Sequence, residues 1–138
     1  MINIEPENFQ ELAGLTAYYD ERNNYQLVIT QDEQQGKVLK IIKTDSGKYD
    51  ELNESKVPLP ENRTIYLRAA IDSTELQFFY SLDETSWIYI GEKLDATILS
   101  DEYDGLNFTG AFVGIAVFDY RNMSKKAQFD YFEYLELK

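Results

Sequence analysis

Residues 106–134 read LNFTGAFVGIAVFDYRNMSKKAQFDYFEY, and this stretch decides the fold class. It holds two runs rich in aromatic and β-branched residues, separated by a charged loop over residues 119–126. In the first run, apolar residues occupy both sets of alternate positions, which is typical of a central strand covered on both faces. In the second run, acidic residues interrupt the alternation, so one face of that strand is expected to meet water. The two runs together predict neighbouring strands of a β-sheet.

The rest of the chain repeats this pattern upstream. Apolar or alternating runs predict strands at residues 12–19, 25–30, 37–44, 65–72, 75–82 and 87–91, the first two joined as a hairpin. Residues 94–105 are expected to form a loop with one turn of helix, and VPLP at 57–60 an exposed connection, because proline cannot donate to a sheet ladder. Turns about every 8–12 residues predict one all-β domain, residues 1–138, built as a two-sheet antiparallel sandwich.

Composition excludes several chemistries. The 25 Asp and Glu outnumber the 13 Lys and Arg, and the net charge of −12 repels nucleic-acid phosphates and anionic lipid. Without Cys and His there is no thiol nucleophile, no imidazole base and no Cys/His zinc site. No apolar run approaches the roughly 20 residues that span a bilayer, and the N-terminus lacks the pattern of a signal peptide. We therefore expect a soluble, cytoplasmic protein that binds neither nucleic acid nor membrane.

Six segments, taken in order, resemble the C-terminal β-sandwich of family 43 glycoside hydrolases of the β-xylosidase and α-arabinofuranosidase type. They are AGLTAYYD from residue 13, VLKIIKTDSGKYDE from 38, VPLP from 57, LRAAIDSTELQFFYSLDETSWIYIG from 67, LDATILSDE from 94 and FTGAFVGIAVFD from 108. The resemblance implies a concanavalin A-like sandwich of the jelly-roll type. In that family the module follows a catalytic five-bladed propeller and has strands before the segment similar to IEPENFQELAGL. The resemblance thus implies a sandwich that lacks the first strands of the family domain.

For function, the resemblance implies a non-catalytic accessory module. The catalytic carboxylates of the family lie in the propeller, so this chain is not expected to hydrolyse glycosides by itself. It is expected to pack against a family 43 catalytic propeller domain or chain, with Phe108 adding an aromatic ring to the mouth of the sugar pocket. A strand-edge core position for Phe108 fits the sequence equally well. The uncovered sheet edge predicts a homo-oligomer in which a second copy covers the gap.

An autonomous carbohydrate-binding module for xylan or xylo-oligosaccharides is the alternative function. Its candidate contacts are Trp87, Tyr18 and Tyr25, because planar rings suit stacking on pyranose units. Each has a structural interpretation as well. Trp87 ends an Asp-box-like turn containing Ser81 and Asp83 and would then cover the core, whereas the tyrosines fit cross-strand packing. A third possibility, a small glycanase, needs two carboxylates about 5–9 Å apart across a groove, and no strand carries the alternating acids typical of such enzymes.

No cofactor is expected, and structural calcium is the only metal considered. Asp101, Glu102 and Asp104 form an acidic loop of oxygen ligands, which suit a hard cation, although the EF-hand spacing is absent. Asp130 is a second candidate, since some concanavalin-like sandwiches hold calcium on the corresponding strand. In a chain this acidic, a solvated charged face is the plainer interpretation.

Overall fold

The computed structural model describes residues 2–3, 6, 11–52, 55–72, 74–99, 112–119 and 128–129. Its strands are β1 (Ile2–Asn3), β2 (Glu11–Asp20), β3 (Asn23–Asp32), β4 (Gly36–Asp45), β5 (Lys48–Glu51), β6 (Val57–Pro58), β7 (Tyr66–Asp72), β8 (Glu75–Ser81), β9 (Ile88–Asp95), β10 (Phe112–Asp119) and β11 (Gln128–Phe129). A 3-10 turn, Ala96–Leu99, follows β9. Every ladder between these strands is antiparallel, which confirms the predicted all-β antiparallel sandwich. Within the described ranges, no helix has the length and hydropathy needed to cross a membrane.

Two sheets form the layers of the sandwich. The larger has the order β10–β2–β3–β4–β5, with β6 also pairing with β4, and the second has the order β7–β8–β9. The pair β1–β11 continues the second sheet through Ile2 and Ile65. Ile2 N donates to Ile65 O at 2.8 Å, and Ile65 N donates to Ile2 O at 2.9 Å, immediately before β7. The first described strand is thereby joined to the middle of the chain.

The core lies between the two sheets. Alternate residues of each strand point inward, as the period of two requires, and fully burying a large apolar side chain contributes about 1.5–3 kcal/mol. The 3-10 turn adds Ile98 and Leu99 at one end of this core. The other large buried apolar residues are Ile2, Tyr19, Tyr25, Leu27, Ile29, Leu39, Ile41, Leu59, Ile65, Leu76, Phe78 and Ile90.

The larger sheet is also covered on its opposite face. Leu12, Val28 and Ile42 form a second buried cluster there. Buried polar groups on this face are satisfied: the Thr30 hydroxyl donates to Glu11 O at 2.8 Å. The central strands of this sheet therefore bury apolar residues on both faces, with polar residues such as Lys40 among them on the outer one.

The six upstream strands predicted from the alternation are all present, and the predicted helical turn is the 3-10 turn. β9 extends four residues beyond its predicted end, through a bulge that sets residues 91–93 opposite Gln77. Gly91 has a φ of +71° there, a conformation that glycine adopts without steric cost. The expected connection at VPLP contains a two-residue edge strand, whose Pro58 is exposed and pairs with Val38.

β10 has one described neighbour rather than two. It pairs with β2 over eight residue pairs, from Phe112↔Tyr18 to Asp119↔Glu11. The prediction of a central position is not met among the described strands, since only one edge of β10 carries a ladder there. The final strand predicted from the second run of the 106–134 stretch lies mostly outside the described residues.

Gly14 marks the closest approach between backbones in the larger sheet. It sits mid-strand in β2, paired with Val28 on one side and Ala116 on the other. A Cβ at this position would overlap the carbonyl oxygen of Leu27 and lie 2.9 Å from the Cα of Val28. Because those atoms belong to the backbone of a central strand, they cannot move aside without breaking the ladder.

We expect Gly14→Ala to lower the free energy of unfolding by at least about 2 kcal/mol, because overpacking a rigid interior forces backbone shifts. Gly36→Ala is the control: its φ of +76° is unfavourable for alanine, but the nearest atom to an added Cβ is 3.8 Å away. That change is expected to cost about 1 kcal/mol. Urea denaturation measures both, and equal losses for the two variants would contradict this account.

Candidate functional site

The sandwich has two ends, and the chain enters β10 at one of them. The ladder pairs Phe112 with Tyr18, Tyr18 with Asn24, and Asn24 with Thr44. The start of β10 therefore lies beside the β2–β3 and β4–β5 turns, and this region is called the entry end. Phe108, the predicted pocket residue, lies outside the described residues. Phe108 precedes the first residue of β10 by four positions in the sequence, and this short separation links its predicted role to the entry end.

Two turns at the entry end are tied together by hydrogen bonds. The Asp20 carboxylate accepts the N–H groups of Arg22 and Asn23, both at 2.9 Å, which is a side-chain-stabilised turn. The Asn23 side-chain oxygen then accepts the Ser46 N–H at 2.9 Å, and Gly47 N donates to Arg22 O at 2.8 Å. The tips of two hairpins thus form one hydrogen-bonded unit next to the start of β10.

Tyr25 fastens the 3-10 turn to the same end. Its ring is fully buried, and its hydroxyl donates to Asp95 O at 2.9 Å. The Asp95 carboxylate accepts from the Thr97 side chain and the Thr97 N–H, which hold its pKa below the usual value. The candidate sugar contact Tyr25 is corrected by this finding, because a ring enclosed by the core has no free face for a sugar. Its structural interpretation, aromatic packing, is the one observed.

The adjacent tyrosines of β2, Tyr18 and Tyr19, point to opposite faces, because successive side chains of a strand alternate between its two faces. Tyr19 is buried in the core between the sheets. Tyr18 is half-buried on the other face, directly opposite Phe112. Tyr18 thus remains a candidate contact at the entry end.

The predicted Asp-box-like turn is present between β8 and β9. One Asp83 carboxylate oxygen accepts the N–H groups of Ser86 at 2.8 Å and Thr85 at 2.9 Å, together with the Ser81 hydroxyl at 3.0 Å. The Ser81 oxygen accepts the N–H of Glu84 at 2.9 Å. These bonds favour the ionised carboxylate and hold the pKa of Asp83 far below its usual range. Asp83 is a structural residue of the turn.

Trp87 lies on the outer face of the second sheet. The guanidinium carbon of Arg68 is 3.9 Å from the centre of its ring, and Arg68 is exposed. Arg68 pairs with Phe79, at positions alternate to the core residue Phe78 and its neighbour Ala69. Trp87 is half-buried and belongs to neither core cluster of the described residues, so its observed partner is Arg68. The sequence does not reveal this, because the face is set by a partner on another strand.

A polar hollow of about 430 Å³ lies at the far end of the larger sheet. Two ion pairs line it, Asp32–Lys56 at 2.7 Å and Glu51–Lys40 at 2.9 Å. The Lys56 ammonium, with two backbone N–H groups, lowers the pKa of Asp32 to about 2, and Lys40 lowers that of Glu51. Both carboxylates are ionised near neutral pH, so neither has the raised pKa that a glycosidase acid needs. The hollow gives the glycanase hypothesis no support.

The metal candidates are not placed by the structure. Asp101, Glu102, Asp104 and Asp130 lie outside the described residues. Among the residues that are described, no group of three or more acidic side chains could hold a metal ion. Calcium binding stays a prediction, which a thermal-shift measurement with calcium against a chelator can test.

On the outer face of the second sheet, beside Trp87, lie three residues that were not singled out from the sequence: Arg68, Phe79 and Tyr89. Their outward direction follows from the alternation of β7, β8 and β9. Their proximity depends on the cross-strand register, Arg68↔Phe79 and Phe79↔Tyr89. The sequence feature that could have indicated this surface is the concentration of aromatic residues at alternate positions on consecutive strands.

Comparison with known families and proteins agrees with this architecture. A family model described as "Beta xylosidase C-terminal Concanavalin A-like domain" matches residues 1–135. The chain is 36% identical over 138 residues to a β-xylosidase of Bacillus subtilis (strain 168), covering 98% of this chain and 26% of that protein. It is 37% identical over 144 residues to the xylosidase/arabinosidase 43B of Humicola insolens, covering 97% of this chain and 26% of that protein.

A solved structure shows the same relation. The crystal structure of a xylan β-1,4-xylosidase from Bacillus halodurans C-125 superimposes with a TM-score of 0.86 and 37% sequence identity. The match covers 91% of this chain and 24% of that one. The chain thus spans about a quarter of the length of the relatives it matches.

We expect Asp32→Asn to lower stability near neutral pH and to flatten the loss of stability in acid. The native pKa of about 2 lies below the unfolded value of about 3.9. The stabilisation by the Lys56 pair is therefore complete above about pH 4 and is lost as the pH falls towards 2. Urea denaturation between pH 2 and 6 measures this, with Asp50→Asn, on the exposed strand β5, as the control. A difference between wild type and Asp32→Asn that stays constant over this range would contradict the prediction.

Proposed function

The chain belongs to the family of β-xylosidase C-terminal concanavalin A-like domains, and on this premise we propose that it is a non-catalytic accessory module of a family 43 glycoside hydrolase. In this role it packs against the catalytic propeller and helps to shape the sugar pocket. The observation that carries the proposal is the coverage: the whole chain matches a C-terminal domain, and that domain is about a quarter of each relative. The catalytic residues of such enzymes are expected in the remaining three quarters.

The entry end is the surface proposed to face the propeller. Two of its turns are held together by hydrogen bonds, which makes this end of the larger sheet a fixed surface beside the start of β10. Phe108 lies in that segment, and an apolar ring there can stack on the C–H faces of a sugar and exclude water from the pocket. The ring cannot transfer a proton, so its contribution is to binding and not to bond cleavage.

Hydrolysis by the isolated chain is not part of the proposal. The two carboxylates of the polar hollow are held ionised by lysines, and Asp83 and Asp95 are bound by their own turns. An inverting or retaining mechanism requires one protonated carboxyl group near neutral pH. Within the part of the chain that the structure describes, none of these four carboxylates meets that requirement.

A second copy of the chain is the further partner proposed. β10 carries a ladder on one edge only among the described strands, and an open edge is a template for another strand. Ile115 of β10 is 47% exposed, which leaves apolar surface beside that edge. Pairing between two β10 strands would satisfy the backbone groups and cover this surface together.

Replacing the C-terminal quarter of the Bacillus subtilis β-xylosidase by this chain tests the packing against the propeller. We expect the chimera to fold and to hydrolyse an aryl xyloside. Phe108→Ala is expected to raise its KM several-fold, up to about tenfold, because a lost aromatic contact is worth about 1 kcal/mol, while kcat changes less. Steady-state kinetics measures both constants.

Ile88→Ala is the control for this experiment, since it removes exposed apolar surface at the opposite end of the sandwich. It is expected to leave KM unchanged. The proposal fails if the purified chain releases sugar by itself, or if Phe108→Ala and Ile88→Ala have the same KM.

Self-association predicts a solution mass of twice the 16.1 kDa of the chain. Light scattering during size-exclusion chromatography, over a dilution series, measures it. Ile115→Lys places a charge beside the edge of β10 and is expected to shift the equilibrium towards monomer. A strict monomer at all concentrations would exclude this partner.

A further inference from the structure

The outer face of the second sheet carries an unusual concentration of aromatic side chains. The register places Arg68 of β7, Phe79 of β8 and Tyr89 of β9 next to one another, across all three strands. Trp87 lies on the same face, beneath the guanidinium of Arg68. These four residues are called the aromatic row.

The aromatic row faces solvent. Tyr89 is 69% exposed, the largest value among the exposed apolar residues of the described chain, and Phe79 and Trp87 are half-buried. The residues of the same three strands that point the other way, such as Phe78 and Ile90, fill the core. The row therefore contributes nothing to the contact between the sheets, and exposed apolar clusters of this kind mark binding surfaces.

The cross-strand register sets how close the members of the row lie to one another. Directly opposite residues on neighbouring strands have Cβ atoms about 4.5–5.5 Å apart, so the rings of Phe79 and Tyr89 adjoin each other. Arg68 adds hydrogen-bond donors at one end of the row. Its guanidinium has no carboxylate partner within the described residues, although the chain carries nearly twice as many acidic as basic groups. Stacking on Trp87 holds it in place and leaves its N–H groups available.

The size of the aromatic row and the charge of the protein limit the kind of ligand that can bind there. Polar residues lie along its edge, with Gln77 and Glu75 on β8 and Glu92 and Lys93 on β9, so the exposed apolar area is limited to the three rings and their small or single neighbours Ala70 and Ile88. A stable protein interface needs about 800 Å² on each partner, whereas an aromatic side chain covers about 150–250 Å² and two of these three rings are already half-buried. An anionic ligand would meet the field of a protein with a net charge of −12. A neutral sugar presents apolar C–H faces to the rings and hydroxyl groups to Arg68. It needs only a small contact area, and the negative charge of the protein does not repel it.

The row also lies away from the entry end. Trp87 follows the Ser81–Ser86 turn, and Ser81 pairs with Tyr66 at the start of β7. Asp95, at the other end of β9, is the residue that Tyr25 joins to the entry end. A module docked through the entry end would leave the row open to solvent.

We propose that the aromatic row binds a neutral oligosaccharide of pyranose units, with Tyr89 and Phe79 stacking on successive sugar rings and Arg68 donating hydrogen bonds to their hydroxyl groups. The site is independent of the catalytic pocket to which Phe108 is assigned. It would hold a polymeric or oligomeric substrate close to the enzyme without taking part in its cleavage.

Trp87 is the only tryptophan of the chain, so its fluorescence reports directly on the row. Titration of the full chain with xylohexaose is expected to give a saturable change in emission and protection from acrylamide quenching, with calorimetry giving the same Kd. Tyr89→Ala is expected to weaken binding about tenfold or more, which corresponds to about 1.4 kcal/mol, and Arg68→Ala several-fold. Tyr49→Ala is the matched control, because Tyr49 is 60% exposed on the other sheet, and it is expected to bind as the wild type does.

Thermal denaturation of each variant establishes that it is folded before its affinity is compared. The proposal is overturned if no saturable change occurs in the millimolar range, if folded Tyr89→Ala binds as the wild type does, or if Tyr49→Ala is weakened equally. It is also overturned if Tyr89→Ala leaves sugar binding intact but raises KM in the chimera, since the row would then be a contact with the propeller. Phe108→Ala is expected to keep xylohexaose binding, so failure of the pocket-shaping role and failure of this site are separate results.

Discussion

The burial of alternate residues between two antiparallel sheets is the constraint on which the rest of this structure depends. Tyr25, Leu27 and Ile29 of β3 face Leu76, Phe78 and Ile90 of the second sheet in one continuous cluster. Because the side-chain period of a strand is two, a slip of one residue would turn this set towards the other face. The register of the hairpins is thereby specified, and with it the position of every outward-facing side chain.

That register also separates two surfaces with different chemistry. At the entry end, the turns are held by carboxylate and amide hydrogen bonds, and Tyr25 connects the 3-10 turn to β3 through Asp95 O. On the outer face of the second sheet, no core contact uses Phe79, Trp87 or Tyr89. A rigid, polar end suits a module that positions a neighbouring loop, whereas an aromatic face suits stacking. We therefore propose that one end of the sandwich serves a protein domain and the outer face of the second sheet a sugar.

The alternation of apolar residues was sufficient to predict most strands, and the failures have identifiable causes. β9 runs beyond its predicted end because a bulge at Gly91 lets the ladder continue past an interruption in the pattern. β5 and β6 are short edge strands with exposed residues, so they bury too little to leave a periodic signal. Tyr25 and Trp87 were both candidates for sugar contact or for packing, and only the structure distinguishes them: Tyr25 fills the core, whereas Trp87 stacks under Arg68, since ring type alone does not tell which face of a strand a residue occupies.

Local composition and spacing were enough to predict the all-β class, the approximate strands, the absence of Cys and His chemistry, and the turn built on Ser81 and Asp83. Which residues meet across the fold follows only from the packing of the two sheets. Ile2 joins Ile65 across 63 positions, Tyr25 reaches Asp95 across 70, and Arg68 stacks on Trp87 from another strand. Such contacts depend on the order and register of strands, which are set by how well two whole sheets bury their inner faces, and no local stretch of sequence contains that information.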